Sequence, residues 1–459
     1  MSTIAELVER ASRRYASRVA VVDGEREATF ADVGERSGRL ANALIGLSPQ
    51  VGSRVGVLMG NRLEFVEVDF AIARAGKVKA PINPRLTDGE RSFILANCGA
   101  EVLVTDGAEF ERVQSMRAEL PELRHVVNVD DAAYEALLAS ASAARPDVVI
   151  NPDEPSMILH TSGTTGRPKG ATTSQAARIA SMTAMLLDEF GAHRHDGMVH
   201  VAPMSHGSGS KILAYFVRGA RNVTLGKFEP ATFFAAMRAS GGTSTFVVPT
   251  MIRMLLDDPS CTPEAVAPIR NITYGGAPMP VALAEEAIGV LGPVLTQVYG
   301  SCEAPHPVTV LSREDHLASG GERLGSVGYP AGGVELRVVG PDDADVPAGE
   351  PGELWIRGAN LMSGYWGDAE ATAKVLSDGW YRSGDVVTID PTGLVAVVGR
   401  EREMLISGGL NVYPAEVEAV LHRHDGISEA AVFGIPDDLW GEVVAAAIVT
   451  RKGRAASEE

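Results

Sequence analysis

At 459 residues the chain exceeds what one ordinary hydrophobic core fills, and two or three domains are expected. Forty-one Lys and Arg against 59 Asp and Glu give a net charge of −18, which excludes a broad nucleic-acid or anionic-membrane surface while leaving room for local basic pockets. Cys98, Cys261 and Cys302 are too few for a disulfide framework or a CxxC metal site, and no run reaches the ~18 apolar residues of a membrane span, so a soluble protein of the reducing cytoplasm is expected.

In chain order, residues 4–16 read as an amphipathic helix rather than a signal peptide, because charges interrupt the apolar residues throughout. Val19 to Val22 reads as a strand entering the Asp23-Gly24 turn, and Thr29 or Asp32 caps a helix running to about Leu47. A strand over Arg54 to Met59, a packed helix over Glu64 to Ala75, and strands over Glu101 to Asp106 and His125 to Val129 continue the alternation. That alternation predicts parallel sheets with covering helices. Ala139 to Asp153 is the expected connector.

The stretch that follows, Ile158-Leu-His-Thr-Ser-Gly-Thr-Thr-Gly-Arg-Pro-Lys-Gly170, runs an apolar strand into hydroxyls, glycines and one lysine. Glycines bring backbone N–H groups close to an anion, Thr161, Ser162, Thr164 and Thr165 supply hydroxyl donors, and Lys169 supplies a compact charge. A Walker A loop is excluded: counted from Gly163, Pro168 stands where its second glycine belongs and Gly170 where Ser or Thr would hold magnesium. Helical and strand-like segments then alternate from Ser174 to Tyr274. The expected strand ends deliver Met204 to Gly209 and Gly275 to Pro278 toward the side on which open α/β sheets bind ligands. From about Gly325 short strands with frequent Gly and Pro suggest a β-rich subdomain, and Gly399 to Pro414 opens a last unit.

The segment TSGTTGRPKG resembles the signature of the adenylate-forming enzymes, the superfamily of acyl-CoA synthetases, firefly luciferases and peptide-synthetase adenylation domains, and the resemblance spans nearly the whole chain. It implies an α/β fold with a large domain over 1–398, its β-rich subdomain over about 325–398, and a partial α+β carboxyl-terminal domain over 399–459. It implies that Thr161, Ser162, Gly163, Thr164, Thr165, Gly166 and Lys169 close over the β- and γ-phosphates of ATP while a carboxylate attacks the α-phosphate. Gln297-Val-Tyr-Gly-Ser-Cys-Glu303 resembles the Tyr-Gly-x-Thr-Glu segment, which places Tyr299, Gly300, Ser301 and Cys302 near the adenine and α-phosphate and gives Glu303 the magnesium ion. Gly275, Gly276, Ala277 and Pro278 would line adenine and the acyl group. Asp385, in Tyr-Arg-Ser-Gly-Asp, would accept both ribose hydroxyls, and Arg400 would contact the ribose and α-phosphate side. Arg402 takes the hinge position, and Gly408 and Gly409 the loop lining the pantetheine of CoA. Read without the resemblance, Tyr299 is equally a core aromatic and Glu303 a surface charge.

For the acid, His206, Gly207 and Ser208 are the candidates. Met204 to Gly209 holds no aspartate to meet a substrate ammonium, which disfavours amino acids, and its small residues leave room for a bulky acid. His206 is equally readable as a buried structural histidine, and Lys211 is expected on a solvated helix face. The resemblance departs at Cys302, where relatives carry threonine, at Arg402, and at the chain's end, where relatives continue to a lysine that bridges carboxylate and α-phosphate. Lys452 has no matching setting, so impaired adenylation is expected of this form. The reading is an ATP-dependent acyl-CoA synthetase using magnesium and CoA on a fatty or other bulky carboxylic acid. Its rivals are an acyl-AMP ligase loading a carrier protein and an ATP- or acyl-adenylate-binding regulator; the partner expectations extend to a homodimer.

Overall fold

The computed structural model describes residues 2–161, 167–407, 410–424, 426–437 and 440–450. It is a mixed α/β protein that divides into two compact units, one of Met1–Tyr274, Gly300–Pro307 and Ala359–Lys374, the other of Gly275–Tyr299, Val308–Gly358 and Val375–Glu459. Each chain segment between Tyr274 and Val375 therefore belongs to the unit it packs into rather than to its sequence neighbour.

The first unit contains a seven-stranded sheet in the order Gly364–Tyr365, Gly170–Ser174, Pro155–His160, Val78–Ile82, Arg54–Leu58, Ala100–Thr105, His125–Asn128. Its last five strands run parallel, as the alternating pattern predicts, whereas Gly170–Ser174 returns antiparallel to Pro155–His160. Leu58, Val78, Ile82, Leu95, Leu103 and Ile158 close the core on it. A second set of strands runs in the order Asn271–Tyr274, Ser244–Val247, Gly197–His200, Arg221–Thr224, Val19–Asp23, Arg26–Thr29. Helix starts are written locally: Thr29 caps Phe30–Leu47 and Asp32 reciprocates, as do Thr87 and Glu90 for Asp88–Cys98. After Ser174 the chain forms an α-helix over Gln175–Ala184 that widens to a π-turn over Met185–Glu189.

Helix Leu63–Arg74 is buried on every side, although it carries Glu64, Glu67, Asp69 and Arg74. Each charge has a partner within the unit: Arg26 and Arg62 for Glu64, Arg36 for Glu67, Lys79 and Arg178 for Asp69, and the Gly34 carbonyl with the Ser37 hydroxyl for Arg74. Burial raises the Glu67 carboxyl to about 7 in spite of Arg36, while the cations beside Asp69 hold its carboxyl below the usual range against a large burial penalty.

The second unit holds an antiparallel trio, Leu295–Tyr299, Thr309–Leu311 and Tyr329–Pro330. Beside it in sequence are an antiparallel sheet of Val334–Val339, Gly352–Gly358, Trp380–Ile389, Leu376–Ser377 and Val395–Arg400, and a sheet of Leu410–Val412, Leu405–Ser407, Gly441–Thr450 and Ile427–Asp437. The short-strand reading of the region from about Gly325 corresponds to the sheet that runs from Val334–Val339 to Val395–Arg400.

Removing one partner from a buried ion pair strands the other charge, which costs about 3–5 kcal/mol. Asp69→Asn leaves Lys79, only 4% exposed, facing a neutral amide, and a loss of that order in urea-unfolding free energy is expected. An unchanged midpoint and slope would show that the pair is not a stabilising partner.

Candidate active site

The phosphate-loop stretch leaves the first unit's sheet through a hairpin. Pro155–His160 pairs with Gly170–Ser174, and the neck is closed by Thr161 N–H donating to the Lys169 carbonyl at 2.9 Å and Lys169 N–H to Thr161 Oγ1 at 3.3 Å. Gly170 is required there, because a Cβ would stand 2.6 Å from Ile158 Cγ2. Ser162, Gly163, Thr164, Thr165 and Gly166 lie outside the described residues.

Lys169 and Glu303, 134 positions apart in sequence, meet through a residue that the sequence reading did not single out. Lys169 Nζ lies 5.1 Å from the Tyr365 ring centroid, and Tyr365 Oη donates to Glu303 Oε1 at 2.9 Å. Strand Gly364–Tyr365 is held on the hairpin by Trp366 N–H donating to the Gly170 carbonyl, and Met362 N–H donates to the Glu303 carbonyl. Burial, reinforced by the Glu303 charge, raises the Tyr365 phenol above its ordinary range, so it is a donor at neutral pH. The turn under Glu303 is set by Ser301, whose Oγ accepts from the N–H groups of Glu303 and Ala304. Gly300 allows the chain to pass with its Cβ position 2.7 Å from the His306 nitrogen. Cys302 replaces a hydroxyl with a thiol that burial and Glu303 push up to about 12.

Glu303 Oε2 has no protein donor among the described residues, and no group of three or more His, Cys, Asp and Glu side chains gathers there. A half-buried carboxylate with one oxygen available fits magnesium, a hard cation that takes one or two carboxylates and completes its shell with phosphate and water.

The acid-binding candidates follow strand Gly197–His200. Asn61, also absent from the sequence reading, clamps this turn: its Nδ2 donates to the carbonyls of His200 and Ala202 and its Oδ1 accepts from Met204 N–H. The space beside the small residues is filled by protein, since a Cβ on Gly207 would meet the Phe246 ring at 2.8 Å and one on Gly209 would stand 1.8 Å from the Met204 carbonyl oxygen. Ser208 is buried and hydrogen-bonded to His200 Nδ1 at 2.8 Å, while His200 Nε2 faces Asn222 Oδ1 at 2.9 Å. The amide oxygen takes the Nε2 proton, so Nδ1 accepts from Ser208. Burial lowers His206, whose Nδ1 lies 3.0 Å from Ser205 Oγ.

The His306 ring stacks on Phe246, with centroids 5.6 Å apart and planes at 13°. Its Nε2 lies 3.0 Å from Ser210 Oγ, whose single proton goes to the Gly207 carbonyl, which fixes His306 as the Nε2–H tautomer. Burial, with the charge of Lys211, keeps this imidazole neutral. Lys211 corrects the expectation of a solvated lysine. It is 1% exposed, pairs with both oxygens of Glu189, and lies 5.5 Å from the Phe246 centroid. Thr273 Oγ1 also donates to Glu189. No periodicity signals this, because Glu189 and Thr273 are 22 and 62 positions away.

In the second unit Tyr299 and Arg400 converge on Asp385: Tyr299 Oη donates to Oδ2 and Arg400 Nε to Oδ1 at 3.2 Å. Asp385 and Arg400 are opposite each other in antiparallel strands. Burial raises the Asp385 carboxyl although Tyr299 and Arg400 oppose the shift, and it raises Tyr299 well above its ordinary value. Glu353, missed in the sequence, accepts from Gly384 N–H and Trp355 Nε1 and sets the turn before Asp385. Gly275 is a close approach, its Cβ position 2.3 Å from the Val298 carbonyl oxygen, and Gly276 has φ +79°, while Ala277 and Pro278 are exposed. Arg402 follows strand Val395–Arg400 and lies 4.0 Å from Glu403. Gly408, Gly409 and Lys452 are outside the described residues.

The sequence model of a family described as AMP-binding enzyme matches residues 8–366, and that of the AMP-binding enzyme C-terminal domain matches 416–459. A feruloyl-CoA synthase of Amycolatopsis sp is 36% identical over 446 residues, covering 97% of this chain and 88% of that protein. An indoleacetate–CoA ligase of Aromatoleum aromaticum is 35% identical over 460 residues, covering 98% and 89%. The crystal structure of ATP-bound MatB from Rhodopseudomonas palustris superposes with a TM-score of 0.90 at 28% identity, covering 99% of this chain and 90% of that one.

His200 is lowered to about 4 by burial, so the unfolded chain takes up this proton first as pH falls below 6.5. Its contribution to stability is complete above pH 6.5 and is lost toward pH 4, amounting to roughly 2 kcal/mol between pH 6.5 and 5. Glu67 acts oppositely over pH 4.5–7, so the difference between proteins is diagnostic: the fall in urea stability from pH 7 to 5 should be smaller by that amount in His200→Gln. Equal falls would mean that His200 is not neutral in the fold. The thiols give a second check. At pH 8 a thiol of pKa about 12 is about one part in ten thousand thiolate, so iodoacetamide should alkylate Cys261 before Cys302 and Cys98; peptide mapping that finds Cys302 first would contradict its environment.

Proposed function

The chain belongs to the AMP-binding enzyme family, and we propose that it is an ATP-dependent acyl-CoA synthetase that joins a fatty or other bulky non-amino carboxylic acid to AMP and then to the sulfur of CoA. The observation that carries the choice of acid is the state of the charges around Met204 to Ser210. That segment has no carboxylate, His306 is neutral, and Glu189 is already neutralised by Lys211. A substrate ammonium would find no unspent negative charge in this set, whereas an apolar or aryl chain meets the Phe246 and His306 rings.

In the first step the acid's carboxylate attacks the α-phosphorus and pyrophosphate leaves; in the second the CoA thiolate attacks the acyl carbon and AMP leaves. Lys169 is assigned to the β- and γ-phosphates together with Thr161, Ser162, Gly163, Thr164, Thr165 and Gly166. Its position over the Tyr365 ring supports the assignment, because a cation on an aromatic face keeps its charge for an incoming anion. Glu303 would hold magnesium, which supplies charge neutralisation on the phosphates. Asp385 is assigned to the ribose hydroxyls: Tyr299 and Arg400 take one bonding direction on each oxygen and fix the carboxylate's plane, leaving the second lone pairs as acceptors. Gly275 to Pro278, Tyr299 and Gly300 to Cys302 are assigned to the adenine and α-phosphate side, Arg400 to the ribose and α-phosphate, His206, Gly207 and Ser208 to the acyl side, Arg402 to a hinge, and Gly408 and Gly409 to CoA. Among the described residues no helix is long and apolar enough to cross a membrane, which accords with a cytoplasmic enzyme.

Pyrophosphate release measured with ATP, magnesium and a panel of fatty, aryl and amino acids, each with and without CoA, tests the reading. Release with one non-amino class and CoA-dependent thioester formation are expected; release with amino acids alone, or with no acid, would overturn it. Transfer to a carrier-protein pantetheine but not to CoA would replace the acceptor. Asp385→Asn should raise the ATP KM about tenfold or more, the loss of hydrogen bonds to a charged acceptor. Tyr365→Phe, which keeps the ring under Lys169 but frees Glu303, should change the magnesium dependence with little effect on the KM for the acid.

A further inference from the structure

A cleft of about 470 Å³ in the first unit is lined by Arg13, Arg14, Tyr15, Ala16, Ser17, Arg18 and Arg194. It shares no residue with the sites described above. Four guanidinium groups and no carboxylate line it, in a chain of net charge −18. Among the described residues none of the four makes an ion pair, whereas Arg36, Arg39, Arg91 and Arg178 on other helices of this unit do.

The cleft is built rather than incidental. The loop after helix Ile4–Arg14 is pinned by Arg18 N–H on the Tyr15 carbonyl, Phe30 N–H on the Arg18 carbonyl and Ala31 N–H on the Ala16 carbonyl. Tyr15 packs against Phe30 with centroids 5.6 Å apart, and against Gly219, where a Cβ would stand 2.7 Å from the ring. Arg18 donates to the carbonyls of Gly219 and Arg194, which ties the Arg194 backbone to the loop. Arg13 and Arg14 fall in the last helical turn, where cations offset the helix dipole. That explanation does not extend to Arg18 and Arg194, which come from two other segments and face the same space.

We propose that this cleft binds a multiply charged phosphate-bearing ligand, the guanidinium groups of Arg13, Arg14 and Arg194 supplying forked donors that match phosphate oxygens while Arg18 holds the loop. Arginine suits this task because its planar fork meets phosphate with two parallel N–H bonds and is weakly hydrated. The volume fits a small phosphorylated molecule or the headgroup of one anionic lipid.

The test is calorimetric titration of the full chain with inorganic tripolyphosphate in the presence of saturating AMP, beside the variant Arg13→Gln/Arg14→Gln/Arg194→Gln. All three side chains are exposed, so the unfolding midpoint and the activity at the catalytic site should be retained. Binding in the parent that is about tenfold or more weaker in the variant is expected. Sedimentation with vesicles of phosphatidylcholine and phosphatidylglycerol, against phosphatidylcholine alone, separates the sources: uptake on the mixed vesicles only, lost in the variant, assigns a lipid headgroup, and tripolyphosphate binding without vesicle uptake assigns a free phosphate compound. No binding of either probe, or binding by the variant equal to the parent's, overturns the proposal.

Discussion

A lysine that is to stay available to an anion cannot be spent on a carboxylate inside its own fold. Lys169 and Glu303 are opposite charges delivered to one neighbourhood, and a direct ion pair between them would satisfy both. Tyr365 prevents it by standing between: its ring face takes the ammonium and its hydroxyl takes the carboxylate. Each charge is held by a contact weaker than a salt bridge, so each remains open to a stronger partner. The contact depends on strand Gly364–Tyr365 adding to the hairpin of Pro155–His160 and Gly170–Ser174, and the hairpin in turn on glycine at position 170. The phosphate-loop stretch thus has its surroundings fixed by segments nearly two hundred positions away.

The turn after strand Gly197–His200 follows the opposite rule: its charges are cancelled where they stand. Lys211 and Glu189 neutralise each other, His306 and His200 are held uncharged by burial, and each ring nitrogen that bears a proton has an acceptor. The buried pair carries a desolvation cost, but Lys211 also packs on the Phe246 ring, as does the His306 ring.

What the sequence made legible was whatever is written in contiguous residues. The cap at Thr29, the alternation giving parallel strands over Arg54–Leu58, Ala100–Thr105 and His125–Asn128, and the short-strand region after Gly325 all have local signatures, whereas strand Val78–Ile82 was not read. The convergence of Tyr299, Asp385 and Arg400 came from matched segments, with no signal in spacing. Asn61, Glu353 and Tyr365 were missed because each acts on a partner between 31 and 143 positions away, and a lone Asn, Glu or Tyr carries no pattern. Lys211 was misread for a related reason: lysine is rarely buried, and only the fold brings Glu189 and Thr273 to it. The small residues Gly207 and Gly209, read as space for a ligand, prove to be space for Phe246 and for the Met204 carbonyl.

Cys302 shows how a departure from a family pattern is to be weighed. A thiol is a weaker donor than a hydroxyl, yet burial and the adjacent Glu303 keep this one protonated, so it neither adds a negative charge beside Glu303 nor becomes a nucleophile. Sulfur at this position therefore offers a weaker donor than a hydroxyl and changes nothing in the local charge. The position stays uncharged because burial, with the Glu303 carboxylate held by Tyr365 beside it, raises the cost of ionising the thiol.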